Sequence, residues 1–277
     1  MISIVVPVYN EASAIEKFHR NLVAGLASLT EKWEVVYVDD GSTDNSGELL
    51  GTLPHTRCLR HDTNLGYGAA VKTGIYSSPA DLIGIIDCDD TYDPRDFSAL
   101  MKKMADHDMA VGARKSRPNL RWASKRLLRA VASYAVAYPI PDLNSGLRIF
   151  RRSFVEKVAH LLPNGFSLTT TITLCAFYYG YRVAYLPVEY GKREGKSKIR
   201  PLYDFMNFTM MIFRIMILFN PLKFFLPPSI IMGMIGGVFL VRDILDYNVA
   251  QTSLLMLING FILFAIGLLA EAIRWKK

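Results

Sequence analysis

Four carboxylates follow directly on an apolar run in the segment LIGIIDCDDTYDP, residues 82–94. Acids packed this closely repel one another and lose hydration unless a cation lies among them. Side chains two residues apart point the same way in extended backbone, so Asp87 and Asp89 can face one ion while Cys88 faces the opposite side. The pattern indicates either a solvated turn or a site for Mg²⁺ or Mn²⁺. The other two acids, Asp90 and Asp93, are predicted to belong to the turn.

Polar clusters also end three other predicted strands. Between Met1 and about Arg200, strand-like and helix-like stretches alternate, which is typical of a parallel sheet covered on both faces. Ligands of such sheets bind beyond the carboxyl ends of the strands. The clusters at these ends are Tyr9-Asn10-Glu11, Asp39-Asp40-Gly41-Ser42, Asp87-Cys88-Asp89 and Gly112-Ala113-Arg114. No GxGxxG follows the first strand and no GxxxxGK[ST] occurs, which argues against dinucleotide-dependent oxidoreduction and against a P-loop enzyme.

The composition points towards a membrane surface. The chain has 277 residues, of which 51% are hydrophobic, and a formal net charge of +7. Its basic residues cluster at 114–129, 192–200 and 274–277, beside the hydrophobic segments, which favours lipid over nucleic acid as the anionic partner. Cys58, Cys88 and Cys175 are far apart and predict neither a disulfide framework nor a zinc site.

The last part of the chain, residues 222–277, predicts a transmembrane hairpin. Two uncharged runs, at about 224–241 and 250–270, are each near the ~20 residues that a spanning helix needs. Buried core helices are the alternative, but neither run has a polar face. Lys223 and the RWKK tail lie outside the runs, so the positive-inside rule predicts that both chain ends and the domain of residues 1–200 are cytosolic.

Two further segments are candidates for helices that lie in the membrane interface. Residues 201–221 are apolar, but Arg214 near their middle would cost roughly 2.5–3.5 kcal/mol inside a bilayer. We therefore predict a juxtamembrane interfacial helix there instead of a third span. In residues 121–138, the cations Arg121, Lys125 and Arg129 recur on one helix face. That pattern fits either a solvated basic face or a helix that grips anionic lipid.

The assembled motifs resemble those of the family 2 glycosyltransferases, which have the GT-A fold, a Rossmann-like, mostly parallel α/β sheet domain. The resemblance covers about 200 residues, and the last motifs and the hairpin resemble the branch of dolichol-phosphate mannose synthase and bacterial polyprenyl-phosphate glucosyltransferases. The matching pieces are VVPVYNE (5–11), VDDGSTD (38–44), NLGYGAAVKTG (64–74), DCDD (87–90), GAR (112–114), DLNSGLRIF (142–150) and KREGKSKI (192–199).

The resemblance implies roles for individual residues. For the nucleotide sugar they are Pro7, Tyr9, Glu11, Tyr37, Asp39, Asp87, Cys88, Asp89, Arg193 and Lys198. For the metal they are Asp87, Asp89 and Thr91, although relatives often have Gln at the position of Thr91. For the acceptor phosphate they are Arg114, Arg126, Arg129, Asn144 and Ser145. Asp89, Arg114 and Arg126 are the residues implied in catalysis. Asp142 and Asn144 lie where the family places acceptor or sugar contacts, and structural capping accounts for either equally well.

The implied reaction is an inverting transfer of a sugar from a GDP-mannose or UDP-glucose type of donor to dolichyl or undecaprenyl phosphate at the cytosolic face. It implies Mg²⁺ or Mn²⁺ as cofactor, a prokaryotic plasma membrane as location, no nucleic acid partner and a homo-oligomer as one assembly. A phosphate acceptor is largely ionised at pH 7 and should need no general base. The alternatives are a processive polysaccharide synthase, which the absence of QxxRW argues against, and a catalytically silent membrane scaffold, which the intact Asp87 and Asp89 argue against.

Overall fold

The structure is a computed structural model that describes residues 1–54, 56–115, 122–191, 201–247 and 250–275. Side chains are described throughout these ranges except at 122–125, 201–205 and 275. The chain divides into two compact units, Met1–Phe208 and Thr209–Lys277.

The first unit contains a seven-stranded, mostly parallel sheet. Its order is β3-β2-β1-β4-β6-β5-β7, in which β6 alone runs antiparallel to both neighbours. The strands are β1 (Ile2–Val8), β2 (Trp33–Asp39), β3 (Thr56–Arg60), β4 (Leu82–Ile85), β5 (Met109–Arg114), β6 (Arg148–Arg151) and β7 (Val183–Val188). The predicted mostly parallel α/β sheet is confirmed, with three strands, β3, β6 and β7, that the sequence patterns did not predict.

Helices connect the strands and cover the sheet. Within the first unit they are α1 (Ala12–Leu26), α2 (Ser46–Thr52), α3 (Tyr67–Ser77), α4 (Asp96–Lys103), α5 (Trp122–Val136), α6 (Arg152–Val158) and α7 (Leu168–Tyr178). Helix α1 shows why they pack there, because Ile15, Phe18, Leu22 and Leu26 recur at spacings of three to four and are all fully buried. Their stripe joins residues of β1 and β2 in one hydrophobic core.

Strand β6 lies between β4 and β5, and this insertion shapes the edge of the sheet where the polar clusters lie. Phe150 of β6 lies opposite Ile83 of β4 on one side and Met109 of β5 on the other. Because β6 runs the other way, the turn that enters it lies at the carboxyl ends of its neighbours. Residues 142–147 are thereby brought beside the strand ends that carry Asp87 and Arg114.

Three helices end the chain: α8 (Pro201–Phe219), α9 (Pro221–Leu245) and α10 (Gln251–Trp275). The boundary between the two units falls inside α8. Helices α9 and α10 form an antiparallel hairpin, in which Ser229 Oγ donates a hydrogen bond to the carbonyl oxygen of Gly260 at 2.8 Å. Among the described residues these two helices are long enough and apolar enough to cross a membrane. The predicted hairpin is confirmed, and its outer surface is rich in exposed side chains such as Val238 and Phe261.

Candidate active site

The carboxyl ends of β1, β2, β4 and β5 all lie at one edge of the sheet. The first three are parallel to one another, and β5 shares their direction because both β4 and β5 pair antiparallel with β6. This edge therefore collects the side chains that follow each strand. They include Tyr9, Asp39, Asp87 and Arg114.

The turns after β1 and β2 are bonded to each other through Asn10. Asn10 has a φ of 52°, in the left-handed region that asparagine tolerates better than most residues. Its backbone N–H donates to Ser42 Oγ at 2.9 Å, and its Oδ1 accepts the N–H of Thr43 at 2.8 Å. The N–H of Glu11 donates to Ser46 Oγ at 3.0 Å. These bonds hold half-buried Tyr9 and Glu11 beside the end of β2.

Asp39 and Asp40 at the end of β2 have different surroundings. Asp39 is fully buried, accepts the N–H of Ser42 on Oδ1 at 2.9 Å, and has Arg60 Nε 3.3 Å from Oδ2. Asp40 accepts backbone N–H groups from Leu65 and Gly66, each at 2.9 Å, so it holds the loop that leads into α3. The contact of Asp39 with a nucleotide base stays a prediction.

Asp87 lies between an aromatic hydroxyl and a glycine. Tyr67 at the start of α3 donates its hydroxyl to Asp87 Oδ1 at 3.1 Å. Burial, followed by the negative charge of Asp87, raises the pKa of Tyr67, so its hydroxyl stays protonated and remains a donor. On the other side, a Cβ at Gly146 would lie 2.5 Å from Asp87 Cγ, so only glycine leaves room for this carboxylate.

Asp89 is oriented by Thr91. Asp89 Oδ1 accepts both the backbone N–H of Thr91 at 3.2 Å and its hydroxyl at 2.5 Å. Both residues are buried, with 5% of Asp89 and 2% of Thr91 exposed. The hydroxyl proton of Thr91 is thus directed at Asp89, and its predicted place among the metal ligands stays a prediction.

We expect the Thr91 hydroxyl to affect metal affinity through this contact. Thr91→Val keeps the shape but removes the donor, and should raise the apparent Kd for Mn²⁺ by about tenfold, the lower end of the range for lost outer contacts of metal ligands. Thr91→Ser keeps the donor and should stay within about threefold of the unsubstituted chain. Titration of Mn²⁺ by electron paramagnetic resonance measures both, and equal affinities for the two variants would contradict the contact.

The remaining acids of the cluster form the turn. Asp90 has a φ of 51° and its Oδ2 lies 3.3 Å from Lys17 Nζ of α1. Asp93 binds the guanidinium of Arg95 through both carboxylate oxygens, since Oδ1 accepts from Nε at 3.0 Å and Oδ2 accepts from Nη2 at 2.6 Å. Each of the two carboxylates forms an ion pair with a nearby cation.

Arg114 and Asp142 form a two-point ion pair at the end of β5. Arg114 Nε donates to Asp142 Oδ2 at 2.7 Å, and Nη2 donates to Oδ1 at 2.8 Å. The guanidinium also lies 5.3 Å from the ring centre of Tyr190. Burial by itself raises the pKa of Asp142, but the hydrogen bonds and charge of Arg114 outweigh it and hold that pKa below the usual value. The pair presents a cation with its orientation set by a permanently ionised partner.

Removing the arginine should reverse the pH dependence of stability. In the natural pair the lowered pKa of Asp142 adds stability above its usual pKa, and this is lost as the pH falls through the folded-state value. Arg114→Met would leave the buried carboxylate of Asp142 without its partner and should lower the free energy of unfolding by about 3 kcal/mol near pH 7. This is the lower end of the range for a broken buried pair, because Arg114 is partly exposed. Burial would then raise the pKa of Asp142, so the deficit should shrink from pH 7 to pH 5. Thermal unfolding at both pH values measures the stability difference between Arg114→Met and the unsubstituted chain. A difference that grows towards pH 5 would contradict the pairing.

Arg148 is a buried charge that the sequence reasoning missed. It lies in β6 and is 0% exposed. Within the described residues, none of its hydrogen bonds goes to a carboxylate. Nε donates to the carbonyl oxygen of Ser145 at 3.1 Å, and Nη1 donates to Thr169 O at 3.1 Å and Thr173 Oγ1 at 3.2 Å. The one sequence feature that could have indicated this buried charge is the presence of Arg148 inside the otherwise apolar run GLRIF.

Three predicted contact residues have buried side chains. Tyr37 is 0% exposed and its hydroxyl lies 3.2 Å from His19 Nδ1. Cys88 lies in the hydrophobic core, where burial and then the charge of Glu11 raise the pKa of its thiol. Ser145 is also 0% exposed and donates its hydroxyl to Gly112 O at 2.6 Å. Direct contact of these side chains with a ligand would need a different orientation, and their assignment as ligand contacts stays a prediction.

The other predicted residues are half-buried or exposed, or lie outside the described residues. Pro7 and Asn144 are half-buried, and Asn144 Oδ1 accepts the hydroxyl of Thr170. On α5, Arg126 is exposed and Arg129 donates to Pro141 O at 2.9 Å. Arg193 and Lys198, the predicted loop cations, lie outside the described residues.

The carboxylates fit a hard divalent cation that is shared with a phosphate ligand. Among the described residues, no group of three or more His, Cys, Asp or Glu side chains could hold a metal by itself. Mg²⁺ is usually bound through one or two carboxylates together with substrate phosphates. The space that Gly146 leaves for Asp87 and the orientation of Asp89 by Thr91 supply such a pair.

Comparison with known proteins gives two family matches. The model described as Glycosyl transferase family 2 matches residues 3–159, and the model described as GtrB C-terminal hairpin matches residues 220–274. Undecaprenyl-phosphate 4-deoxy-4-formamido-L-arabinose transferases of Salmonella paratyphi A and Salmonella choleraesuis are 27% and 26% identical over 221 residues. The match covers 76% of this chain but 65% of each relative, so the chain spans about two thirds of their length.

Solved structures show the same fold. Glucosyl-3-phosphoglycerate synthase from Mycobacterium tuberculosis in complex with uridine diphosphate is similar with a TM-score of 0.63 at 16% identity, covering 78% of this chain and 80% of that one. Its complex with Mn²⁺, UDP-glucose and phosphoglyceric acid gives a TM-score of 0.62 at 15% identity, covering 78% and 79%. The GT-A type of fold predicted from the motifs is confirmed.

Proposed function

Because the chain belongs to glycosyl transferase family 2, we propose that it transfers a sugar from a nucleotide-sugar donor to a polyprenyl phosphate at a membrane surface. The observation that carries this proposal is the convergence of a carboxylate pair and an ion-paired arginine at one sheet edge, in a chain that also has a long apolar hairpin. The names of the Salmonella relatives and the hairpin match support a lipid phosphate as acceptor, with undecaprenyl phosphate as the carrier.

The donor end of the site is formed by Asp87 and Asp89. When bound there with the donor diphosphate, Mg²⁺ or Mn²⁺ would neutralise the charge that develops on the leaving group. Tyr67 and Thr91 hold the two carboxylates in place before a ligand arrives, which lowers the reorganisation needed during the reaction. The base of the donor nucleotide is placed at the end of β2, where Asp39 lies next to the turn that Asn10 closes.

The acceptor end is formed by Arg114. Asp142 occupies its Nε and Nη2, which leaves the Nη1 edge of the guanidinium for a phosphate oxygen. The acceptor phosphate is itself an ionised nucleophile, and Asp142, whose pKa is lowered, is suited to orientation and not to proton removal. An oxygen of the acceptor phosphate attacks the anomeric carbon while the bond between that carbon and the nucleoside diphosphate breaks. This single displacement inverts the configuration at the anomeric carbon.

The positions of cations and exposed apolar groups support the proposed membrane face. Leu127 and Tyr134, seven residues apart on α5, are 57% and 50% exposed and share one helix face. Arg126 lies beside them and is exposed. An apolar stripe with a neighbouring cation fits the headgroup region of a bilayer. Together with the charges that flank α9 and α10, this supports a cytosolic catalytic domain with both chain ends on the same side.

The test is product identification with the full chain in membranes. Membranes containing it are incubated with a panel of nucleotide sugars, undecaprenyl or dolichyl phosphate, and Mn²⁺, and the lipids are analysed by mass spectrometry. We expect one sugar per lipid phosphate from one donor of the panel. A polymer that stays attached to the protein, or donor hydrolysis without glycolipid, would overturn the proposal.

A further inference from the structure

Arg148 lies under both ends of the candidate site. Burying a guanidinium costs free energy unless other groups compensate its charge. Arg148 is fully buried, and this burial lowers its pKa. Its N–H groups hold backbone carbonyls of Ser145 and Thr169, and no described carboxylate accepts from it. The charge of nearby Asp142 acts on this guanidinium, but no described carboxylate forms a hydrogen bond to it, so its positive charge is only partly compensated within the described residues.

One chain of contacts leads from Arg148 to the metal carboxylate. Nε and Nη2 both donate to the carbonyl oxygen of Ser145, which fixes the turn into β6. The next residue, Gly146, donates its N–H to the Tyr92 hydroxyl at 3.0 Å and leaves the space that Asp87 fills. Asp87 in turn accepts the hydroxyl of Tyr67.

A second chain of contacts leads from the same turn to the phosphate arginine. Asp142 Oδ1 accepts the N–H of Asn144 at 3.1 Å, and both its oxygens bind Arg114. Ser145 Oγ donates to Gly112 O, two residues before Arg114. Residues 142–146 are thus one turn with the metal carboxylate against one end and the phosphate arginine against the other, and Arg148 holds it from below.

We propose that Arg148 is a positioning residue for sugar transfer that acts through its charge, by supplying a fixed positive charge beneath the diphosphate. Its hydrogen bonds hold the turn of residues 142–146, and a lysine or glutamine side chain can keep these in part. This inference rests on the proposed function, because it concerns the same site. A fixed cation below the site favours an anionic ligand and disfavours a divalent cation. A residue that only holds the fold would affect the binding of both ligands in the same direction.

The experiment separates charge from hydrogen bonding by two substitutions in the full chain. Arg148→Lys keeps the charge and has its N–H donors on a single nitrogen, and Arg148→Gln keeps amide N–H donors without the charge. Arg151→Gln is the matched control, since Arg151 lies in the same strand but is largely exposed and pairs with Asp108. Uridine and guanosine diphosphate binding is measured calorimetrically with saturating Mn²⁺, and Mn²⁺ binding without nucleotide is measured by electron paramagnetic resonance.

We expect Arg148→Gln to raise the nucleoside diphosphate Kd by about tenfold and to lower the Mn²⁺ Kd by about threefold. Arg148→Lys and Arg151→Gln should leave both within about twofold. Parallel weakening of both ligands in Arg148→Gln, or unchanged binding, overturns the inference while the proposed function stands. If Arg148→Gln does not fold, Arg148→Lys decides, because a tenfold loss of nucleotide binding despite the retained charge overturns it. If the unsubstituted chain binds neither nucleotide, the proposed function fails and this inference fails with it.

Discussion

Asp89→Asn is expected to reduce sugar transfer by on the order of 10²–10³-fold while the chain stays folded. Asparagine keeps an oxygen at the position of Oδ1, so the hydrogen bonds from Thr91 are retained and the buried turn is preserved. The change removes only the negative charge that a divalent cation and its diphosphate require. Initial rates of glycolipid formation at saturating donor, together with Mn²⁺ binding, measure the effect.

Asp93→Asn is the matched control for this result. Asp93 lies four residues further along the same segment, pairs with exposed Arg95 on the surface, and should leave the rate unchanged. Asp89→Ala should lose transfer to the same extent as Asp89→Asn but with a lower melting temperature, because Thr91 then loses its acceptor. A rate for Asp89→Asn within threefold of the unsubstituted chain would show that this carboxylate does not act through its charge.

Gly146→Ala is expected to displace Asp87, the proposed metal ligand, by adding a single methyl group. The new Cβ would lie 2.5 Å from Asp87 Cγ, which forces the carboxylate away from its place beside Tyr67. Overpacking of this kind costs about 1–3 kcal/mol of stability. The loss of transfer should be larger, about 10²-fold, because misplacement of a catalytic group by about 1 Å has this effect.

Gly165→Ala controls for the general cost of replacing a glycine with alanine. A Cβ at Gly165 would meet nothing within 4 Å, so this variant should keep both its rate and its Mn²⁺ affinity. Gly146→Ala should lose Mn²⁺ affinity in proportion to its loss of rate. Normal Mn²⁺ binding in Gly146→Ala would show that displacing Asp87 does not affect metal affinity, and therefore that Asp87 is not a metal ligand.

Much of the fold was predictable because its signals are local. The apolar runs that precede Tyr9, Asp39 and Asp87 predicted parallel strands with polar ends, and these ends do share one edge. The two uncharged runs predicted the helical hairpin. Each of these inferences needs only the order of residues within about twenty positions, because strands and helices have characteristic periodicities of apolar residues.

The supporting residues were not predictable in this way. Tyr37 lies in a strand that is covered on both faces, so alternation of polar and apolar residues does not tell which face each side chain takes. The pairing of Arg114 with Asp142 joins positions 28 residues apart, and the fit of Asp87 against Gly146 depends on where β6 inserts into the sheet. Lone acids and a lone arginine carry no sequence signal for such partners.

The chemical groups that this protein offers can be read from the order of its residues: clustered carboxylates after a buried strand, cations near apolar segments, and two helices long enough to span a bilayer. Which of these groups meet depends on the fold. The antiparallel strand β6 brings residues 142–148 under the strand ends, and thereby places Gly146 against Asp87, Asp142 against Arg114, and the charge of Arg148 beneath both. These contacts could not be predicted because strand order is set by packing and pairing over the whole sheet, which no local pattern encodes.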